Sequence, residues 1–242
     1  MCATYQPPRP VHFELLGLPQ PTFEFKSESY PRYLSPMIVK GQESEMELRE
    51  AMFGLVPDWA DNTKFAAKTY NAKSETVSTK PSYRKAWRLN QFALIPMISF
   101  YEPHYEAGRS ERWRIERDDL EPFTVAAIWD LWTPKEFEGV PQALRSFSML
   151  TINADNHPLM SKFHDPEDEK RSIVVIPPDL RHDWLNADHR TAKELLHEII
   201  AEQFHGLPDP KPPRTPTQPK TPVAPKITKN KSDDKSMNMD LF

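Results

Sequence analysis

The sequence predicts an α+β fold, and three observations carry that expectation. Short apolar runs rich in β-branched and aromatic residues outnumber helical patterns, the two kinds do not alternate regularly, and no internal repeat is present. In chain order, the spacing first predicts a helix over 45–53 (EMELREAMF) and another over 80–90 (KPSYRKAWRLN), where Pro81 suits a first turn. Four runs then read as buried strands: FALIPMISFYE (92–102), FTVAAIWDLW (123–132), FSMLTINA (147–154) and SIVVIPP (172–178), each bounded by Pro or polar clusters. The clearest helix is TAKELLHEIIAEQF (191–204). Leu195, Leu196, Ile199 and Ile200 make its stripe, with Thr191 as N-cap and Glu194 completing a capping box.

Composition changes at Leu207. Residues 207–242 hold eight prolines and no aromatic before Phe242, so they read as an extended, disordered tail that cannot bury enough apolar surface to offset ordering. The expected organisation is a domain over 1–206 and a Pro/Lys-rich tail over 207–242. The tail carries seven basic and four acidic residues, +3, whereas the whole chain has 31 Lys+Arg against 35 Asp+Glu. Subtraction leaves the body with 24 basic and 31 acidic residues, −7. A generic duplex-coating protein would be strongly basic, so contact with nucleic acid would need a local basic groove. No run of about 18 apolar residues and no cationic-then-apolar leader is present, so a cytoplasmic, nucleoid-associated protein with no membrane contact is expected.

Walker, GxGxxG, GxSxG and HExxH signatures are absent. His157 and His164 stand near Asp155, Asp165, Glu167, Asp168 and Glu169. Without a tight ligand spacing, this set reads as a polar loop rather than a metal site. Cys2, the single cysteine, cannot form an internal disulfide. Removal of Met1 would place an α-amine and a thiol on one carbon, a 1,2-aminothiol that captures an aldehyde as an imine and closes it to a thiazolidine. Position alone also allows an incidental cysteine.

A set of segments in a particular order decides between these: MCATY, FGLVPDWA (53–60), YNAKSET (70–76), YRKAWRLNQFALIPMISFYEP (83–103), FTVAAIWDLW, then MLTINA and FHDPEDEKRSIVVI (163–176). Together they resemble the SOS response-associated peptidase family, abasic-site processing proteins that couple an N-terminal cysteine to damaged DNA. The resemblance covers residues 1 to about 190. It implies an antiparallel, β-barrel-like core with flanking helices and no metal or organic cofactor. It further implies Cys2 as nucleophile, Asn71 as the group holding it, and Glu102 and His164 as proton-transfer residues. On the DNA side it points to Lys73, Trp59, Arg84 and Arg88. The residues themselves leave other readings open. Glu102 also fits the exposed end of a strand, Asn71 a turn, His164 a loop beside a helix cap, Trp59 the core, and Arg84, Lys85 and Arg88 a solvated face. The chain departs from the family pattern at Ala3 and Thr4, which replace Gly-Arg, at Phe53, which replaces Trp, at Met97 to Ser99, which replace a small-residue and Gly turn, and at Lys73, which replaces an arginine fork.

The expected activity is covalent capture of abasic sites in single-stranded DNA as a thiazolidine crosslink through Cys2, with strand cleavage of lyase type also within reach. The alternatives are a thiol peptidase or autoprotease, and a non-enzymatic single-stranded-DNA-binding adaptor. At the chain end, Asn238, Met239, Asp240, Leu241 and Phe242 resemble the short peptide by which bacterial proteins dock on the replication sliding clamp, which makes the clamp an expected partner.

Overall fold

The computed structural model describes residues 2–43, 45–106, 108–134 and 143–211. Strands dominate. The first sheet joins β1 (Thr4–Gln6), β6 (Ser99–Glu106), β7 (Arg109–Arg117) and β12 (Phe204–Pro208) in that order. The second contains β2 (Leu34–Lys40), β3 (Met46–Phe53), β4 (Asn71–Lys73), β5 (Phe92–Met97), β8 (Phe123–Trp132), β9 (Leu144–Asn153), β10 (Arg171–Ile173) and β11 (Val175–Ile176). Helices are short: α1 (Arg84–Arg88), α2 (Arg181–Asn186) and several 3-10 turns.

The α+β class therefore holds, with a qualification about strand direction. Pairings are antiparallel except β3–β9 and β4–β9, which are parallel. In the larger sheet they run β9–β3–β2–β5–β8 and return to β9, so five strands close on themselves. This arrangement explains why the apolar runs are continuous rather than alternating: β2, β5, β8 and β9 bury both faces, whereas β3 is largely half-buried. One face of the sheet contributes Met37, Phe53, Ile95, Val125 and Met149 to a core shared with Tyr5, Phe100, Ile115 and Phe204 of the first sheet. The opposite face contributes Ile38, Leu94, Ala126 and Leu150 to a second core, covered by Trp87 of α1 and Trp184 of α2.

Three expectations about elements are corrected. The segment 45–53 is strand β3 from Met46 onward, not a helix. Its helix-forming composition hides a period of two: Met46 and Leu48 pack on the second core, while Ala51 and Phe53 enter the first. Pairing with β2 across its whole length decides the state. The segment 191–204 is likewise not one helix. It makes 3-10 turns at Ala192–Leu195 and Ala201–Gln203, with extended chain between and β12 after them. Leu195 and Leu196 pack on the second core whereas Ile199 is buried in the first, so the stripe serves opposite faces of a sheet that one helix could not reach. The capping box is not formed, because the Thr191 hydroxyl donates to the carbonyl of Asp188 at 3.3 Å. Third, the run 92–102 is two strands in different sheets, broken at Ile98, whose N–H donates to Gln6 O at 2.9 Å.

Of the other runs, β8 covers 123–132 residue for residue and 147–154 falls in β9, whereas 172–178 is not one strand but two, β10 paired with β9 and β11 paired with β8; β1, β2, β4, β7 and β12 lie outside the predicted runs. The helix expected over 80–90 is reduced to α1, entered by a turn in which Arg84 N–H donates to Lys80 O at 2.9 Å. The chain divides into Met1–Lys211 and Pro212–Phe242. Paired chain continues past Leu207: β12 reaches Pro208, and Asp209 N–H donates to Arg112 O at 2.9 Å.

Candidate active site

Four chain segments meet at the seam between the two sheets. Cys2 stands just before β1, whose pairing with β6 (Thr4 opposite Tyr101) lays the N-terminal segment alongside Glu102. Asn71 opens β4, held parallel to β9 by the Asn71–Met149 register and by Met149 N–H donating to Tyr70 O at 3.0 Å. From there the Asn71 amide Nδ2 donates to the backbone oxygen of Cys2 at 2.7 Å, while Tyr83 O–H donates to Asn71 O at 3.0 Å. The other amide atom, Asn71 Oδ1, is buried and has no hydrogen-bond partner among the described residues.

His164 arrives on the loop after β9. Its backbone N–H donates to Pro103 O at 2.8 Å, a bridge joins Phe163 to His104, and its own φ is +67°. A left-handed conformation at a non-glycine residue is uncommon and persists only where the surroundings fix it. It brings Nε2 to 3.0 Å from Glu102 Oε2, close in distance but off the line of a hydrogen bond. Both side chains are buried, Glu102 at 3% exposure and His164 at 7%.

Cys2 is buried too, with Sγ 3.5 Å from Thr4 O. Burial first, and the Glu102 carboxylate second, push its thiol pKa well up, so the sulfur rests as the neutral thiol. The neighbouring Tyr70 hydroxyl is raised by burial, Glu102 and Cys2 in that order. These mutual effects place Cys2, Tyr70 and Glu102 within one electrostatic neighbourhood.

A cavity of about 320 Å³ reaches the edge of this cluster at Tyr70 and His164, and is lined further by Lys73, Asp168, Glu169 and Arg171. Arg171, only 3% exposed, is gripped by both oxygens of Glu75 at 2.9 Å, by Glu169 at 2.7 Å and by Thr151 O at 2.6 Å. Lys73 is paired with Glu169. A larger cavity of about 960 Å³ lies past β1, between Gln6, Arg9, Phe23 and Arg114, and includes none of Cys2, Asn71, Glu102 or His164.

The remaining sequence-predicted residues are spread around this centre. Trp59 is 47% exposed and meets Phe65 edge-on, so it is not a core residue. Its loop is fixed where Trp132 Nε1–H donates to Ala60 O at 2.7 Å and where Asp58 pairs with Lys85 at 3.0 Å. Lys85 also pairs with buried Asp130 at 3.3 Å, so this cation is committed to α1's own anchorage. Arg84 and Arg88 are exposed on α1. His157 is structural: Nε2 donates to Ile199 O at 2.8 Å and Nδ1 accepts from the N–H groups of Leu159 and Met160. Among the described residues, no group of three His, Cys, Asp or Glu side chains is arranged to hold a metal. Asn238, Met239, Asp240, Leu241 and Phe242 lie outside the described residues.

Sequence reasoning did not single out Tyr70, Glu75, Glu169 or Arg171 as site residues. Their signals were faint: Tyr70 precedes Asn71 in YNAKSET, and Arg171 closes the acidic loop DPEDEKR.

The same fold occurs in a solved protein of Bordetella bronchiseptica, 29% identical, which aligns with a TM-score of 0.78 over 86% of this chain and 99% of that one. Residues 12–208 match the sequence profile of the SOS response associated peptidase (SRAP) family, and the chain belongs to that family. Its curated relatives include abasic site processing protein YoqW of Bacillus subtilis, 28% identical over 65% of this chain and 65% of that protein. Another is abasic site processing protein YoaM of the same organism, 25% identical over 72% of this chain and 74% of that protein. The matched region thus spans about two thirds of YoqW.

Proposed function

We propose that this protein processes abasic sites in single-stranded DNA by capturing them covalently through Cys2. The observation that carries the reading is the convergence of Cys2, Asn71, Glu102 and His164 from four distant segments onto one buried seam. The names of the relatives, abasic site processing proteins, support the substrate class.

The chemistry follows from the groups present. With Met1 removed, the Cys2 α-amine attacks the aldehyde carbon of the ring-opened deoxyribose, and loss of water leaves an imine. The Cys2 S–H then adds across the C=N bond: sulfur bonds to carbon, the proton passes to nitrogen, and a five-membered thiazolidine results. Glu102 takes a proton from the Cys2 ammonium to free the amine for attack, and His164 protonates the sugar oxygen as the ring opens. Asn71, fixed on the Cys2 carbonyl, orients the amine, and its unpartnered Oδ1 is an acceptor for it. Reversal uses the same groups, and the imine gives access to strand cleavage.

A thiol peptidase would need Cys2 as a thiolate, whereas burial and Glu102 favour the neutral thiol in the chain that retains Met1. In the amine-first sequence the neutral thiol acts only in ring closure. Replacement of Cys2 by Ala removes the stable adduct on denaturing gels with an abasic oligonucleotide, while Cys2→Ser leaves an imine trapped only by borohydride. An undiminished adduct in Cys2→Ala would rule out the mechanism.

A further inference from the structure

Two cations line the cavity beside His164, and one side chain holds both. Glu169 Oε2 accepts from Lys73 Nζ, and Glu169 Oε1 lies 2.7 Å from Arg171 Nη1, with Asn153 Nδ2 a further 3.3 Å contact on the same oxygen. The cations are anchored differently from the carboxylate between them. Arg171 is buried and keeps Glu75 and Thr151 O as partners whatever Glu169 does. The Glu169 side chain is 39% exposed and belongs to the polar loop between His164 and β10.

A carboxylate that presents one oxygen to each of two cations copies the way a phosphodiester presents its two non-bridging oxygens. Charge fits the same picture. Among the four ion-paired side chains, Lys73 and Arg171 supply +2 and Glu75 and Glu169 supply −2, so the set is neutral as it stands and +1 once Glu169 leaves, against which Asp168, on the same cavity wall, sets one negative charge. We propose that Glu169 is a built-in phosphate surrogate: it keeps Lys73 and Arg171 in a phosphate-receiving arrangement in the free protein and is displaced when a DNA phosphate enters the groove. This rests on the reading of single-stranded DNA as ligand. It gives the acidic loop a task, which is to make entry of the strand a competition that only correctly placed phosphates win.

The test uses the full chain, with Glu169→Gln and Glu169→Ala, and a short fluorescent oligothymidylate without an abasic site, followed by anisotropy. Both variants bind about 5- to 10-fold tighter than the wild type, with a salt slope steeper by about 0.7, the increment for one added phosphate contact on a single strand. Adding Lys73→Ala to Glu169→Gln removes the gain. Strands ending in hydroxyl and in 3′-phosphate separate the two sources of the oxyanion: an equal gain assigns an internal phosphodiester, a gain confined to the phosphorylated strand a terminal phosphate. Unchanged or weaker affinity in both variants, with wild-type binding intact and all melting curves alike, overturns the surrogate alone. No binding by wild type or variants overturns the DNA reading and the surrogate with it.

Discussion

At Glu102 and His164 the structure holds a carboxyl group and an imidazole 3.0 Å apart, nearly sealed from water. Proton transfer at such a site is worth about 10²-fold or more. Glu102→Gln and His164→Ala are therefore expected to slow crosslink formation or reversal by at least about that factor, in single-turnover gels, with single-strand affinity little changed. If rates hold and affinity falls instead, the two residues belong to strand binding. These positions, with Cys2 and Asn71, were legible because the order of the motifs around them resembled a family. Tyr70, Glu75, Glu169 and Arg171 were not, since what makes them part of the site is contact across the fold. Arg171 meets Glu75 across 96 residues of chain, a distance no local spacing encodes.

Elements that carry their own burial on both faces were the most legible. β8 is apolar but for Thr124 and Asp130, and its bounds match the run. β3 and the 191–204 segment misled because local propensity and stripe geometry point to helix, while partners far along the chain impose extended pairing and divide the stripe between two cores. His157 is part of what pins the second segment, through Ile199 O, and it also organises the turn at Leu159 and Met160. His157→Ala leaves these buried groups without partners and is expected to cost about 2–3 kcal/mol in chemical denaturation. A second consequence concerns β10. Arg171 and its hydrogen bonds hold Glu75 below the usual carboxylate range, and hydrogen bonds from Lys73, then Arg171, hold Glu169 at about 2. With folded pKa values depressed, their stabilisation is present above the unfolded value near 4.5 and is lost as pH falls toward about 2. Both carboxylates are more than a third exposed, so each contributes under about 1 kcal/mol. The double variant Glu75→Gln with Glu169→Gln should show a shallower fall of melting temperature between pH 5 and pH 2. A parallel fall in both proteins would assign the acid sensitivity elsewhere.

At the scale of the whole molecule, the site has no local version. Its members lie at positions 2, 71, 102 and 164, and the single hydrogen bond between Asn71 and Cys2 closes 69 residues of chain. Loops of that length are closed late, and sheets built from distant strands fold in about milliseconds to seconds. Capture competence is therefore expected to return in the same final refolding phase as native tryptophan fluorescence; an earlier burst of adduct formation would show that a fragment suffices. Until that phase, the nascent chain carries a cysteine but no apparatus to commit it. On the proposed chemistry, completing the β1–β6 seam does two things at once: it shelters Cys2 from free aldehydes in solution and sets it beside the groups that would direct it to DNA.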